Sequence, residues 1–305
     1  MFLKEQLHIG GGEGQEEEEE GLGQPPPHPQ DAAAVGELVA SFNHRRMYRE
    51  VTLALRSALR DAVAEFSFLR LRGLRNLLKS LQSFAKNDVI TPLFRQSQSV
   101  PELQVVPVLF QNTLKQYKDE PVFNLDDIFG VEPLKISSPA ADSEVALALR
   151  VLEGCCLLHS ESRDLAQQLN AVKVLVNILS TRGALEQGAC LDAFIALMLD
   201  SSVNQFEFEA CRGIEKIAEL MKDEQVDESV RLKCGEFVLL LIGHINGRVE
   251  PPLATVHKDL RRLLGEKCAS LIRAASQFGS TLDPEQRQMV LSIQGRRVLE
   301  AVELH

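Results

Sequence analysis

An internal repeat constrains this chain more than any other feature. Placing Leu149 over Leu191 aligns LRVLEGCCLLHSESRDLAQQLNAVKVLVNIL with LDAFIALMLDSSVNQFEFEACRGIEKIAELM at an offset of 42 residues. Leu152 then meets Phe194, Cys155 meets Leu197, Leu169 meets Cys211 and Ala171 meets Gly213. Val172, Leu175, Ile178 and Leu179 fall on Ile214, Ile217, Leu220 and Met221. A third copy opens with VRLKCGEFVLLLIGHI at 230–245, shifted by 41 or 42. The apolar steps of three and four within each copy are those of helix faces. Each copy reads as a long helix, a short helix, a sharp turn at a small residue (Ala171, Gly213) and another helix. Such a unit cannot bury its apolar face alone, so neighbouring copies must stack.

Three helices in a period near 42 residues fall in the armadillo or HEAT range. The fold class expected is all-α, an armadillo/HEAT-like right-handed superhelical solenoid. It would occupy 144–305 and end in C-terminal capping helices. Composition agrees: aromatics are 5% with no Trp and two Tyr, which favours aliphatic helix packing over sheets. The stretches Ala171–Leu179 and Gly213–Met221 resemble the second helix of armadillo repeats. The stretches 145–158, 187–199 and 228–242 resemble the third, which in that family lines the concave groove. At matched places on these segments stand Arg150, Asp192 and Lys233, and one turn on Glu153, Ile195 and Glu236. The five charged residues are the candidates for partner contact, against the alternative of an ordinary solvated face.

Upstream, the charge is uneven. Residues 1–30 carry one Lys and seven Glu, with Gly and Pro at a density that cannot bury a core, so an acidic disordered tail is expected there. Residues 44–95 carry eleven Arg and Lys against four acids. Within the basic helical segment 31–95, Val51, Leu55, Leu59, Val63, Phe66 and Leu69 form one apolar stripe. Leu71, Leu74, Leu78 and Leu81 form a second, with a phase shift near Gly73. Arg56, Arg60, Arg70, Arg72, Arg75 and Lys79 lie mostly off these stripes and make a basic face. That face is either solvated or a docking surface for an acidic partner or anionic membrane. Nucleic acid is not expected, because the chain is acidic overall, at −10, and poor in aromatic stacking platforms. Six prolines from Pro92 to Pro139 punctuate the following stretch. The segment 96–143 is therefore read as a short helix at 108–117 with loop.

Catalytic chemistry finds no purchase. No G-x-S-x-G, H-E-x-x-H or G-x-G-x-x-G string occurs, and no Cys/His set has zinc spacing. The glycines at the N-terminus precede five glutamates instead of the Lys-Ser/Thr of a phosphate loop. Neither cofactor, metal nor small-molecule substrate is expected. The six cysteines read as buried free thiols of a reducing compartment. His159 and His244 read as helix-end residues, dipole partners or caps. Apolar runs such as Phe237 to Ile242 fall far short of the ~20 residues of a membrane span. Nor does the first stretch, MFLKEQLHIGGG, have the apolar core of a secretory signal, so the expected location is cytoplasmic.

Read in order, the strings LLHS at 157–160, CLDAFIALMLDS at 190–201, FEACRGIEKIAELMKD at 208–223 and ESVRLKCGEFVLLLI at 228–242 resemble the cell division control protein 14 family. That family is a component of the fungal septation initiation network and is distinct from the phosphatase of similar name. The absence of a C-x5-R loop fits this distinction. The resemblance covers about 145–245, and 69–81 matches only loosely. It implies a non-catalytic scaffold that binds a germinal-centre-type Ser/Thr protein kinase in cytokinesis signalling at spindle poles or microtubule-organising structures. The alternative is a membrane- or cytoskeleton-docking adaptor acting through the basic helices 44–95.

Overall fold

The computed structural model describes residues 29–115, 140–246, 255–276 and 283–303. The acidic tail expected at 1–30, apart from its last two residues, and most of the Pro-punctuated loop lie outside that set. Among the described residues every regular element is helical and none is a strand. The chain divides into two compact units at Arg45/Arg46. In the first, the described part of α1 (Pro29–Ala62) leaves Val35, Leu38, Val39 and Phe42 exposed at helical steps.

The second unit, Arg46–His305, holds the core. Val51, Leu55 and Leu59 of α1 are buried as the stripe requires, but the stripe stops there. The chain leaves the helix after Ala62, and α2 (Ser67–Ala85) begins after an extended Phe66. Val63 and Phe66, expected on the buried stripe, stand exposed in the turn instead. Gly73 then lets α2 cross α1 closely. A β-carbon there would lie 2.4 Å from the Ala62 nitrogen and 2.7 Å from the Ala58 carbonyl oxygen.

Next come α3 (Ile90–Gln98), a 3-10 turn (Pro101–Leu103) and α4 (Val105–Gln111). Pro92 and Pro107 each take the third position of a helix, where no intrahelical acceptor awaits an amide. These prolines therefore open helices, and the short helix expected at 108–117 starts three residues earlier and ends at Gln111.

The repeat unit follows twice, as α5 (Asp142–Leu158), α6 (Glu161–Gln168) and α7 (Ala171–Thr181), then α8 (Ala184–Met198), α9 (Ser202–Ala210) and α10 (Gly213–Lys222). Its corner is a single left-handed residue, Asn170 at φ 56° and Arg212 at φ 55°, 42 positions apart. Asn takes that conformation readily, whereas Arg does so only where the surroundings impose it. The small residue after each corner is a matter of space. A β-carbon on Gly213 would sit 2.1 Å from the ring of Phe208, which is fully buried against Phe194 and Phe237. In the preceding unit the matched pair is Ala166 and Ala171, both fully buried, so the volume given to a ring in one unit is shared between two methyl groups in the other.

A third unit is built from α11 (Glu228–Asn246) and α12 (Val256–Ala275). Gly265, at φ 82°, interrupts α12 and serves as the third corner, 53 positions after Arg212. The chain ends in α13 (Pro284–Glu303). Helices α2, α5, α8, α11 and α13 pack side by side in that order, with α7, α10 and α12 behind. Helices as short as α6 and α9 are marginal alone, so packing between units holds them.

Candidate partner-binding face

Arg150 on α5, Asp192 on α8 and Lys233 on α11 come together because these three helices are consecutive members of the row. Lys233 Nζ lies 2.5 Å from Asp192 Oδ2, each side chain about one-third exposed, while Arg150 is exposed beside them. One turn on, Glu153 and Glu236 are half-buried. Burial pushes the Glu153 carboxyl above its ordinary range and Asp192 adds to this, while Lys233 and Arg150 oppose it. Glu236 is raised in the same way, chiefly by burial, against a hydrogen bond from Ser292 of α13 and the charge of Lys233. The five candidates thus form one electrostatically linked strip, with Ile195 half-buried at its centre.

The strip has an apolar continuation that the charged positions alone did not reveal. Leu157, Leu199 and Leu240 stand one further turn along, again 42 and 41 positions apart. Leu157 is 55% exposed and Leu240 36%, and a cavity of about 570 Å³ opens beside Ile195, Leu199, Leu240 and His244. The signal was present in the repeat alignment. Apolar spacing alone does not separate a core leucine from a surface one, and only the row's outward side does so.

Of the basic face, Arg56, Arg60, Arg72, Arg75 and Lys79 are exposed as expected. Arg70 is not part of it. Its side chain is 7% exposed, with Nε 2.9 Å from Glu144 Oε2 and Nη1 2.7 Å from the Glu65 carbonyl oxygen. Glu144 is fully buried, and Ser67 also donates to it. A guanidinium facing a buried carboxylate at the α2–α5 contact is an internal tie, for leaving either charge there alone would be costly.

The thiols of Cys155, Cys156, Cys190, Cys234 and Cys268 are buried, and Cys211 is half-buried. Burial pushes Cys156 and Cys234 up to about 12 and Cys268 to about 11, the opposite of an activated nucleophile. His159 closes α5, its Nδ1 3.0 Å from Ser162 Oγ and its Nε2 against the Glu161 carboxylate. This set is like a catalytic triad in composition only, since Ser162 is fully buried and the residues share one turn. The capping role of His159 stands. Burial lowers its pKa, against the Glu161 carboxylate, which raises it. Among the described residues no group of His, Cys, Asp and Glu could hold a metal ion, and no helix is long and apolar enough to cross a membrane.

Residues 125–270 match the family model described as "Cell division control protein 14, SIN component". The matched span contains all three corners and all five residues of the charged strip, and leaves out α1–α4 and α13. No curated protein matches the chain. Among solved structures, the crystal structure of an engineered protein is 12% identical, covers 82% of this chain and 99% of its own, and has a TM-score of 0.48.

Proposed function

From the premise that residues 125–270 belong to the cell division control protein 14 family, we propose that this chain is a non-catalytic scaffold of septation-initiation signalling. Its partner is a Ser/Thr protein kinase of the germinal-centre type. The carrying observation is that the family segment coincides with the three stacked units and their charged strip. Repeated units stacked as an armadillo-like, right-handed solenoid present an extended surface, which is how such folds bind proteins. The strip Arg150, Glu153, Asp192, Lys233 and Glu236 orients the partner, and the adjoining cavity at Leu199 and Leu240 takes an apolar side chain. The complex works in the cytoplasm, at spindle poles or related microtubule-organising structures.

The test is affinity purification of the tagged chain from its own cells, with quantitative mass spectrometry. A Ser/Thr kinase in near-equal amount is expected, lost from Arg150→Glu. The exchange Asp192→Lys/Lys233→Asp keeps the internal ion pair while reversing its order, so it separates recognition from stability. A kinase retained by both variants would remove the strip from the reading, and no kinase at all would remove the function.

A further inference from the structure

The turn between α1 and α2 forms an apolar tip that the packing leaves uncovered. Phe66 is 62% exposed, Phe68 66% and Val63 46%, and the two rings stack on each other with centroids 5.9 Å apart. Most of the surface of these two rings stands in water at the turn, so little of it is gained by folding. Behind the tip both helices carry exposed cations at helical spacing. On α2 the exposed line is Phe68, Arg72, Arg75 and Lys79, stepping by four, three and four. On α1 it is Arg49, Leu53, Arg56 and Arg60, leading to Val63 by the same steps. The two lines meet at the turn, where Arg60 and Arg72 flank Asp61, with Arg72 Nε 2.8 Å from its carboxylate. Glu65 is the exposed acid between them, and Glu50 is taken by Arg46.

We propose that this helical hairpin is a membrane-surface anchor, its Phe66–Phe68 tip entering the interface of an anionic phospholipid bilayer while the exposed Arg and Lys residues meet the headgroups. The inference stands apart from the kinase-scaffold reading and survives its failure. A bilayer deforms around a pair of exposed rings, and phenylalanine is among the side chains that interfacial helices bury at the boundary between headgroups and acyl chains. Basic side chains flanking such a tip gain from the negative surface potential of anionic lipid, and their aliphatic stems tolerate the boundary. Gly73 and the buried Arg70–Glu144 tie fix the hairpin to the core, so the tip is presented without ordering a loop on arrival.

The full chain is mixed with sedimenting vesicles of phosphatidylcholine alone or of phosphatidylcholine with phosphatidylserine. Binding is expected to the mixed vesicles, falling as salt is raised, and not to phosphatidylcholine alone. Phe66→Ser/Phe68→Ser weakens it at least about tenfold through lost apolar insertion. Arg75→Glu/Lys79→Glu weakens it at least about thirtyfold through lost surface attraction. Both pairs are exposed, so the melting temperature holds, which separates lost binding from lost fold. Absent binding to mixed vesicles overturns the proposal, as does equal binding to both kinds. Unchanged binding by the Phe variant would reduce the tip to a bystander and also overturns it. Preference for polyglutamate over vesicles would assign the hairpin to an acidic protein instead.

Discussion

Gly213 and Ala171 occupy the same place in successive units, yet only one of them has room for a methyl group. The difference is Phe208, whose ring fills the space that Ala166 leaves open one unit earlier. Gly213→Val is therefore expected to cost about 3 kcal/mol by overpacking in urea unfolding. Gly213→Ala should cost less in a Phe208→Ala background than in the natural chain, because that pair restores the composition of the preceding unit. Simple additivity of the two changes would refute this account of the corner. Glu153 gives a prediction with a sign in pH. Its raised pKa means that the folded chain holds the proton to higher pH than the unfolded chain does. Ionisation of Glu153 therefore lowers stability as pH rises from about 4 through the folded-state pKa. Thermal melts of Glu153→Gln should coincide with the natural chain near pH 4 and run higher at pH 7. A variant less stable at pH 7 would show that the carboxylate is a net stabiliser of the strip.

At the scale of elements, α2 is attached to α5 by an ion pair that no local pattern announces. Arg70 lies among exposed basic residues and Glu144 lies 74 positions away, so periodicity assigns the arginine to the surface. The matched residue in the next unit, Glu186, is equally buried, and its Oε1 finds no hydrogen-bond partner among the described residues. The repeat thus places a glutamate in the first turn of α5 and of α8, and only the first meets an arginine across the contact. Glu144→Ala strands that guanidinium and is expected to cost about 3–5 kcal/mol by urea unfolding, whereas Arg70→Met/Glu144→Leu recovers most of the loss. A cost below about 1 kcal/mol would mean that apolar contacts such as Leu81 against Gly154 hold α2 without the pair. The α1–α2 turn was hidden for a related reason. Phe66 continues the three-and-four stepping of Val51, Leu55 and Leu59, so the sequence pattern runs straight through a place where the backbone turns. Helix existence was legible there, and the boundary was not.

For the whole molecule, the 42-residue period was legible because two units repeat their apolar positions and set their corners, Asn170 and Arg212, 42 positions apart. The third corner escaped because Gly265 comes 53 positions after Arg212, out of register with the first two. The charged strip was legible through the same period, since matched positions on adjacent helices must share a face. In a stack whose units touch chiefly their neighbours, stability is a sum of local and nearest-neighbour contributions, and units at an end open more readily than those between. The cysteines report on this unit by unit: Cys155 and Cys156 on α5, Cys190 on α8, Cys234 on α11 and Cys268 on α12. With a maleimide under native conditions, half-buried Cys211 should react first. Cys268 should follow ahead of Cys234, Cys190, Cys155 and Cys156, because its helix lies toward the α13 end. Mass spectrometry of peptides from a labelling time course reads each site separately. One common rate for the five buried thiols would mean that Arg46–His305 opens only as a whole, with contacts between units too strong for any one of them to part alone.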